Sequence, residues 1–448
     1  RLGWSRWTTP FATVAVALVV IVVAATLFSL RGRPSGGTGS NSTHANATAT
    51  ALAQAQPGSV NGGVVMAISM DSSTDGWAIG LPGSAGMYPT PSGGNAAEGV
   101  AIFYHYTGSK WVQKGSVAGF NADGVGIGVY LKMLSPTDGW AYDGAGSLLH
   151  YDGVAWRTAA ITIPGVTHVH IQTIDMVSPT VGWAAVYIGG GQIRFARFNG
   201  AGWTIEPITN LPATVDASVM AVSNITVTPQ GDAWAVGGAA PINPTPSAAG
   251  VGLVFHRVGG QWVTQTPLNT PEAKAEINPI DIYMSGPTSG WIVGSTTQNR
   301  TTSEGTTQGT HTLLLRYDGQ RWAPVTVPLG TVSPNDSLTQ IVGIGADNIW
   351  VTGRSSAKQI LPGSVTMSAL LLHYDGQNWS QIWPDATIHN ATSAYIGSSG
   401  LAMSPDGALW VVGGAEMVQG SPSDAGGPLF WRYTAGGGWS LLPATSGK

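Results

Sequence analysis

The sequence contains no cysteine among its 448 residues. This absence excludes disulfide bonds, thiolate metal sites and a cysteine nucleophile. Burial of apolar surface must therefore hold the fold together, and 43% of the residues are hydrophobic.

Charged residues are also scarce. Asp, Glu, Lys and Arg make up 9% of the chain, whereas soluble domains usually contain roughly 25%. Nucleic-acid binding needs clustered lysine and arginine, so we exclude DNA and RNA as expected partners. A sparsely charged surface resists association weakly, which favours packing against other subunits, lipid or glycan.

One long hydrophobic run lies near the N-terminus. The residues from Phe11 to Leu30 carry no charge, and a helix of that length spans roughly 30 Å, the thickness of a bilayer core. Trp4 and Trp7 before the run and Arg31 after it are typical interfacial flanks. We predict an N-terminal flank over 1–10 and a transmembrane or bundling helix over 11–30. A cleaved signal peptide is the alternative, although its apolar run is usually shorter.

The segment that follows is polar but uncharged. Residues 34–62 contain no Asp, Glu, Lys or Arg and are rich in Ser, Thr, Asn, Ala and Gly. Such a composition cannot bury a core, so we predict a linker over 31–61. Asn41 and Asn46 each begin an N-x-Ser/Thr triplet, which leaves glycosylation of this linker open.

Two tryptophan motifs alternate along the rest of the chain. The first is a turn followed by Trp and a short apolar run, as in residues 75–80; the second is an apolar strand ending in Tyr-Asp-Gly-x-x-Trp, as in residues 149–156. The first-motif tryptophans are Trp77, Trp140, Trp183, Trp234, Trp291, Trp350 and Trp410, and the second-motif tryptophans are Trp111, Trp156, Trp203, Trp262, Trp322, Trp379 and Trp439. Such spaced self-similarity predicts a repeat architecture of seven units.

Each repeat predicts four short strands. Strand a is an alternating apolar run, strand b carries the first Trp, strand c precedes the Asp-Gly turn, and strand d carries the second Trp. Turn residues between short apolar runs are typical of antiparallel hairpins. We therefore predict an all-β, seven-bladed β-propeller over 62–443, with four antiparallel strands per blade and a C-terminal tail over 444–448.

The two motifs also resemble those of a known class. Asp-Gly-Trp-Ala-x-Gly and Tyr-Asp-Gly-x-x-Trp are similar to motifs of bacterial seven-bladed propellers of the kelch, Asp-box and photosystem-assembly-factor kind, across residues 62–443. The resemblance implies the architecture and no particular function. The Asp-Gly turn before Trp is similar to the Asp-box of sialidases, but the Ser-x-Asp-x-Gly-x-Thr-Trp form is not met, which weakens any glycosidase inference.

Strand parity divides the connections between two faces. In an antiparallel four-stranded blade, the a–b and c–d turns lie on one face and the b–c and d–a connections on the other. The b–c connections are predicted to be long loops in repeats one, four, five, six and seven (81–99, 238–250, 295–311, 354–368 and 414–427) and short in repeats two and three. Variable loops on a rigid scaffold commonly bind partners, although neutral drift explains the same pattern. The predicted partner-binding face comprises Tyr88, Asn95, Asn243, Asn299, Arg300, Glu304, Arg354, Lys358, Glu416 and Asp424.

Two groups of basic residues raise the question of a metal site. His105, His150, His256, His373, Arg197, Arg316 and Arg432 share one position in strand c. One such residue per blade cannot converge on a single ion, so we predict that they stack on neighbouring tryptophans. His168 and His170 form a His-x-His pair on one side of a strand and are weak candidates for a metal site, but the sequence indicates no third ligand.

The acidic residues form no catalytic pattern. Most lie in turns, including Asp152, Asp318 and Asp375, where Asp usually bonds its own backbone. The chain has no Gly-x-Ser-x-Gly elbow, phosphate-binding loop or His-Glu-x-x-His motif. We therefore predict a protein that is not an enzyme and that needs no cofactor or metal.

These observations predict a binding or scaffold module for protein or glycan partners. It is held at the cell envelope by the membrane helix Phe11–Leu30, with the propeller outside the cytoplasm or on the cell surface. One alternative is a structural subunit of a surface filament or membrane complex that self-assembles through this helix. A third hypothesis is a glycoside-active propeller enzyme.

Overall fold

The computed structural model of the protein describes residues 63–81, 100–118, 120, 129–144, 146–189, 191–228, 230–242, 250–265, 268, 276–302, 305–326, 336–385, 388, 391–417 and 427–445. These residues form strands β1 to β30, which confirms the all-β prediction. No helix within these ranges is long and apolar enough to cross a membrane. The predicted flank (1–10), helix (11–30) and linker (31–61) lie outside the described residues.

Consecutive strands pair in antiparallel meanders of four, numbered 1 to 7 along the described part of the chain. Meanders 1 and 2 comprise β1 (Val65–Met70), β2 (Gly76–Gly80), β3 (Val100–Tyr106), β4 (Trp111–Ala118), β5 (Tyr130–Ser135), β6 (Asp138–Tyr142), β7 (Leu148–Tyr151) and β8 (Trp156–Ala159). Meanders 3 and 4 comprise β9 (Val169–Ser178), β10 (Val181–Ile188), β11 (Gln192–Phe198), β12 (Trp203–Glu206), β14 (Val215–Val227), β15 (Ala233–Pro241), β16 (Val251–Val258) and β17 (Gln261–Thr264), with the short β13 (Ile208–Thr209) between them.

The remaining strands follow the same order. Meander 5 comprises β18 (Glu276–Gly286), β19 (Ser289–Thr302), β20 (Gly305–Tyr317) and β21 (Trp322–Pro324). Meanders 6 and 7 comprise β22 (Ser337–Ile344), β23 (Asn348–Leu361), β24 (Val365–Tyr374), β25 (Trp379–Gln381), β26 (Ala391–Met403), β27 (Leu409–Met417), β28 (Gly427–Thr434) and β29 (Gly438–Leu441). Residues 444–445, predicted as tail, form β30 (Ala444–Thr445), which pairs in parallel with β4.

The second strand of each meander has an apolar run around its tryptophan, because both faces of the sheet are buried there. In β10, Trp183 and Ala185 belong to a core cluster shared with meander 4. Ala184 and Val186 belong to a cluster shared with meander 2. Successive side chains of a strand point to opposite faces, so a sheet covered on both sides needs a continuous apolar run.

The glycine that precedes the first-motif tryptophan makes room for a methionine. A Cβ placed on Gly182 would lie 2.2 Å from the Sδ of Met176, its partner on the neighbouring strand. Gly139 and Met133 repeat the arrangement in meander 2, at 2.4 Å. A residue with a side chain would displace the methionine, so the glycine of this motif is a packing requirement.

Each core cluster of the described residues combines two meanders. Six clusters join meanders that follow one another in the chain. The remaining cluster joins the last meander to the first, where Trp410 and Phe430 pack on Trp111. The ring centroids of Trp111 and Phe430 are 4.6 Å apart.

Side chains also link the first strands of successive meanders. Backbone N–H groups donate to a side chain of the preceding first strand in six pairs: Met133 to Ser69, Met176 to Tyr130, Val222 to Gln172, Val227 to Asp175, Ile341 to Asp281 and Leu401 to Gln340, at 2.8–3.0 Å. These strands are therefore held together by hydrogen bonds as well as by apolar packing.

Candidate functional site

Two of the predicted b–c loops are long hairpins. β19 and β20 remain paired as far as Thr302 and Gly305, and β23 and β24 as far as Leu361 and Val365, with one irregularity after Arg354. The prediction of loops over 295–311 and 354–368 is therefore wrong. The first segment is polar but rich in threonine, whose branched side chain favours strands.

The predicted partner-binding residues are only partly described. Arg354 lies exposed in β23 of meander 6. Glu416 lies exposed in β27 of meander 7 and accepts a hydrogen bond from the Ser393 hydroxyl at 2.7 Å. Asn299 and Arg300 belong to β19 and Lys358 to β23, but the structure does not describe their side chains. The other five predicted residues lie wholly outside the described ranges: Tyr88, Asn95, Asn243, Glu304 and Asp424. The proposed face thus stays a prediction.

The repeated basic residues stack on tryptophans, as predicted. Each lies directly across the ladder from its first-motif tryptophan. Ring centroids lie 3.9 Å apart for Trp234 and His256, and the Arg316 guanidinium lies 5.2 Å from the Trp291 ring. The other pairs are Trp77–His105, Trp140–His150, Trp350–His373, Trp183–Arg197 and Trp410–Arg432.

Most of these basic residues also contact an acid or amide beside the tryptophan. His256 Nε2 lies 2.7 Å from Asp232, and Arg432 donates to Asp406 at 2.8 Å. His105, His150 and His373 contact Asp75, Asp138 and Asn348 in the same way. Burial lowers the pKa of His373, which favours its neutral form. With one edge bonded and one face stacked, these side chains have a structural role.

The turn carboxylates bond their own backbone, again as predicted. Asp318 accepts from the N–H groups of Arg321 and Gln320, both at 2.9 Å, and these bonds hold its pKa below the ordinary value. The N–H groups of Asn378 and Gln377 do the same for Asp375. Such carboxylates shape turns and are unavailable as general acids.

The His-x-His pair is exposed. His168 precedes β9 and His170 lies within it, with its ring centroid 6.4 Å from that of Tyr187. Within the described ranges, no three His, Asp or Glu side chains are grouped as metal ligands. Metal binding by this pair therefore has no third ligand in these ranges to support it.

A polar cluster that the sequence did not predict lies between meanders 3 and 4. Glu206 is 7% exposed. It accepts two bonds from the Arg257 guanidinium, at 2.6 and 2.7 Å, and one from each indole N–H of Trp183 and Trp262, at 3.2 and 3.1 Å. Four donors satisfy a buried carboxylate and fix the end of β12 against the next meander.

Two further buried carboxyls lie on first strands. Asp175 bonds to Lys132 and Tyr130 of meander 2 as well as to the Val227 N–H. Asp281 accepts from Ile282 and Ile341 N–H groups at 2.8 Å, and burial raises its pKa to about 7. Both bind neighbouring strands. An acid within an apolar stretch of a first strand was a signal for them, but their partners on neighbouring first strands lie more than forty residues away.

No family model and no curated protein matches the chain. Among solved structures, similar chains include YCF48 bound to D1 peptide, with 14% identity, 82% of this chain and 93% of that chain covered, and a TM-score of 0.44. Another is the Aleuria aurantia lectin, a six-bladed β-propeller with fucose recognition (11% identity, 78% and 92% covered, TM-score 0.34). A third is a thermostable family-43 glycoside hydrolase (10% identity, 63% and 96% covered, TM-score 0.32). At these identities and scores the likenesses assign neither a ligand nor an activity to this chain.

Proposed function

We propose that the chain is a non-catalytic, seven-bladed β-propeller that binds protein or glycan partners through its b–c side. Seven four-stranded meanders support the blade count. The cluster shared by the first and last meanders supports a closed ring. Phe11–Leu30 would anchor this ring in the membrane, with the propeller outside the cytoplasm in the cell envelope.

The observation that carries the binding role is the extended hairpin β23–β24. Near its tip, Ile360 is 69% exposed, while Leu361 and Val365 on either side of the turn are buried. Thr366 and Met367 pair with β26 of meander 7, which fixes the hairpin in place. A hairpin that projects from a rigid scaffold and displays an apolar side chain is suited to contact a partner.

The absence of catalysis is supported by the roles of the acids. Hydrolysis of a glycosidic bond needs two carboxyls free to act on a substrate. Asp175 and Asp281 instead bond backbone N–H groups of adjacent first strands, and Glu206 is bonded by four donors. These acids are occupied by the fold.

The experiment compares two exposed apolar residues on opposite sides. Ile360→Ser alters the b–c side, and Val154→Ser alters a c–d turn, where Val154 is 80% exposed. Labelled protein is applied to glycan and peptide arrays, and melting temperatures are measured in parallel. We expect Ile360→Ser to weaken the strongest array signal at least tenfold without changing the melting temperature, and Val154→Ser to leave the signal unchanged. Loss only in Val154→Ser would assign binding to the opposite side.

A second test shortens the other long hairpin. Joining Thr297 to Thr310, which face each other across β19 and β20, by Asn-Gly removes the outer part of the hairpin. The melting temperature should change little, since the body of the meander is retained and loop length alters closure entropy slowly. Thr296 and Thr297 are buried, so a replacement starting at Ser295 should destabilise. The array signal should fall in the shortened variant; an unchanged signal would exclude this hairpin from the binding surface.

A further inference from the structure

The fourth strand of meander 3 leaves part of its neighbour uncovered. The β11–β12 ladder runs from Phe198↔Trp203 to Phe195↔Glu206 and ends there. Residues 192–194 of β11 thus have no partner in β12. The Arg194 guanidinium donates to the Ile193 carbonyl oxygen at 2.8 Å, so a side chain, and no residue of β12, reaches this carbonyl. A backbone edge of this kind can pair with an added strand.

The chain leaves this edge because hydrogen bonds attach the residues after β12 to meander 4. After Glu206, the Pro207 carbonyl accepts the Trp262 N–H at 2.9 Å, and β13 pairs in parallel with β17. The four bonds to Glu206 hold the same turn. The fold therefore fixes the departure of the chain, and within the described residues β12 leaves 192–194 of β11 unpaired.

A groove of about 440 Å³ lies beside this edge. It is lined by Arg194, Ile205, Pro207, Ile208, Leu211, Ala217 and Met220. Met220 is buried and Ile205 is 37% exposed, so apolar surface extends from the interior to the rim. The lining combines Arg194 of β11 with residues at and after the end of β12, so the groove lies beside the point where β12 leaves β11.

The lining carries one kind of charge. Arg194 is its single ionisable residue, and two neutral oxygens, the Ile193 carbonyl and the Gln192 side-chain amide, orient its guanidinium. A guanidinium beside apolar side chains complements a carboxylate attached to an apolar chain.

We propose that this groove binds an extended peptide, which adds a strand beside residues 192–194 and places an acidic side chain against Arg194 and an apolar one against Ile205, Leu211 and Met220. This proposal rests on the proposed binding function, and it identifies an extended peptide as the ligand of the groove beside β11. Main-chain pairing would provide affinity, and the alternating side chains would provide specificity. The Ile193 carbonyl can accept a second hydrogen bond while bonded to Arg194, since it has two lone pairs.

The experiment uses fluorescein-labelled peptides of eight residues with alternating valine and serine. One series places a single Glu at each position in turn, and a matched series places Gln. Fluorescence polarisation on the full chain should show one Glu register that binds at least tenfold more tightly than its Gln counterpart. Arg194→Gln should remove this difference. Ala217→Trp, at an exposed position that narrows the groove, should weaken both peptides at least tenfold, and N-methylation of the peptide backbone beside the Glu should do the same.

The matched control is Val258→Ser, an exposed apolar position (53%) at a c–d turn. It should bind like the wild type, and all variants should share its melting temperature. The proposal is overturned if no peptide binds, if Arg194→Gln retains the preference for Glu, or if Ala217→Trp binds with full affinity. Array binding that is lost in Ile360→Ser but kept in Ala217→Trp would sustain the proposed function and reject the groove; loss of neither would reject both.

Discussion

At the scale of single residues, each repeated motif position has a packing explanation. The first-motif tryptophans are all buried, whereas Trp322 and Trp439 of the second motif are only half-buried. The glycine next to the first tryptophan admits a methionine in four meanders, as with Gly290 and Met284 in meander 5. In meander 6 the two positions are exchanged: the glycine, Gly343, lies on the first strand, and the larger residue, Ile349, lies on the second. Volume is conserved across the two strands although the residues change sides.

A tryptophan of the first motif should contribute much more than a half-buried one. Trp234 is fully buried, stacks on His256 and donates its indole N–H to Asp232 at 2.8 Å. Trp234→Ala should lower the free energy of unfolding by about 3–5 kcal/mol, the range for truncating a buried aromatic. Urea unfolding measures this change. Trp322→Ala, in the same apolar neighbourhood, should cost clearly less; equal losses would mean that burial does not set the contribution.

The buried Asp281 should make stability depend on pH. Its pKa is raised from 3.8 to about 7 in the folded state by burial, with a smaller contribution from the charge of Asp175. Folding therefore takes up a proton between these pH values, and the free energy of unfolding falls as pH rises through this window. Asp281→Asn cannot ionise, so its stability relative to wild type should increase from pH 4 to pH 7.

Urea unfolding at several pH values checks this expectation. Each unit of pKa shift corresponds to about 1.4 kcal/mol, so the difference between the two proteins should change by a few kcal/mol over the window. A difference that stays constant with pH would show that Asp281 is ionised throughout. The Asn side chain still offers an oxygen to the Ile341 N–H, which limits the structural effect of the substitution.

At the scale of strands, the sequence predicted regular elements well and their extensions poorly. Asp-Gly turns and alternating apolar runs located the hairpins because both signals are local. The strand character of residues 295–311 was missed because the segment is polar and its pairing depends on the opposite strand. Glu206 was missed for a related reason: its partner Arg257 lies fifty-one residues away, and no local pattern indicates a pair at that distance.

The last strand should matter despite its length of two residues. β30 pairs with β4, and the Pro443 carbonyl accepts the buried Trp111 N–H at 3.0 Å. Deleting residues 443–448 removes both contacts and leaves that N–H without its acceptor, which should cost about 1–3 kcal/mol. Restoring only residues 443–445 should recover the stability in urea unfolding. Equal stability of the deleted and full chains would show that β30 is dispensable.

At the scale of the whole molecule, the same contacts recur between each meander and the next, and they support the prediction of a propeller. Alternating clusters join each meander to the next, and the same parallel pairing that links meander 3 to meander 4 through β13 links meander 7 to meander 1 through β30. The sequence predicted the repeats but not these two parallel pairings, because the short strands β13 and β30 carry no motif of their own.

Deleting residues 1–33 should release a folded, soluble protein. The described core begins at Val64, whose backbone carbonyl accepts the Leu81 N–H at 2.8 Å, and the predicted helix ends at Leu30, well before it. Circular dichroism and melting temperature should match those of the full chain in detergent, with the truncated chain remaining in the supernatant of a membrane sedimentation assay. Aggregation of the truncated chain would indicate that the N-terminal segment belongs to the core.

The junction of meanders 1 and 7 has a mechanical consequence. The chain enters the first meander at β1 and leaves the last through β30, both beside this junction, and the backbone connects every other pair of adjacent meanders. Tension transmitted through the two ends would therefore act first on Trp111, Trp410 and Phe430 and on the strand pairing beside them. Separation there would leave the seven described meanders as a linear series, so their resistance to extension is concentrated in one non-covalent contact.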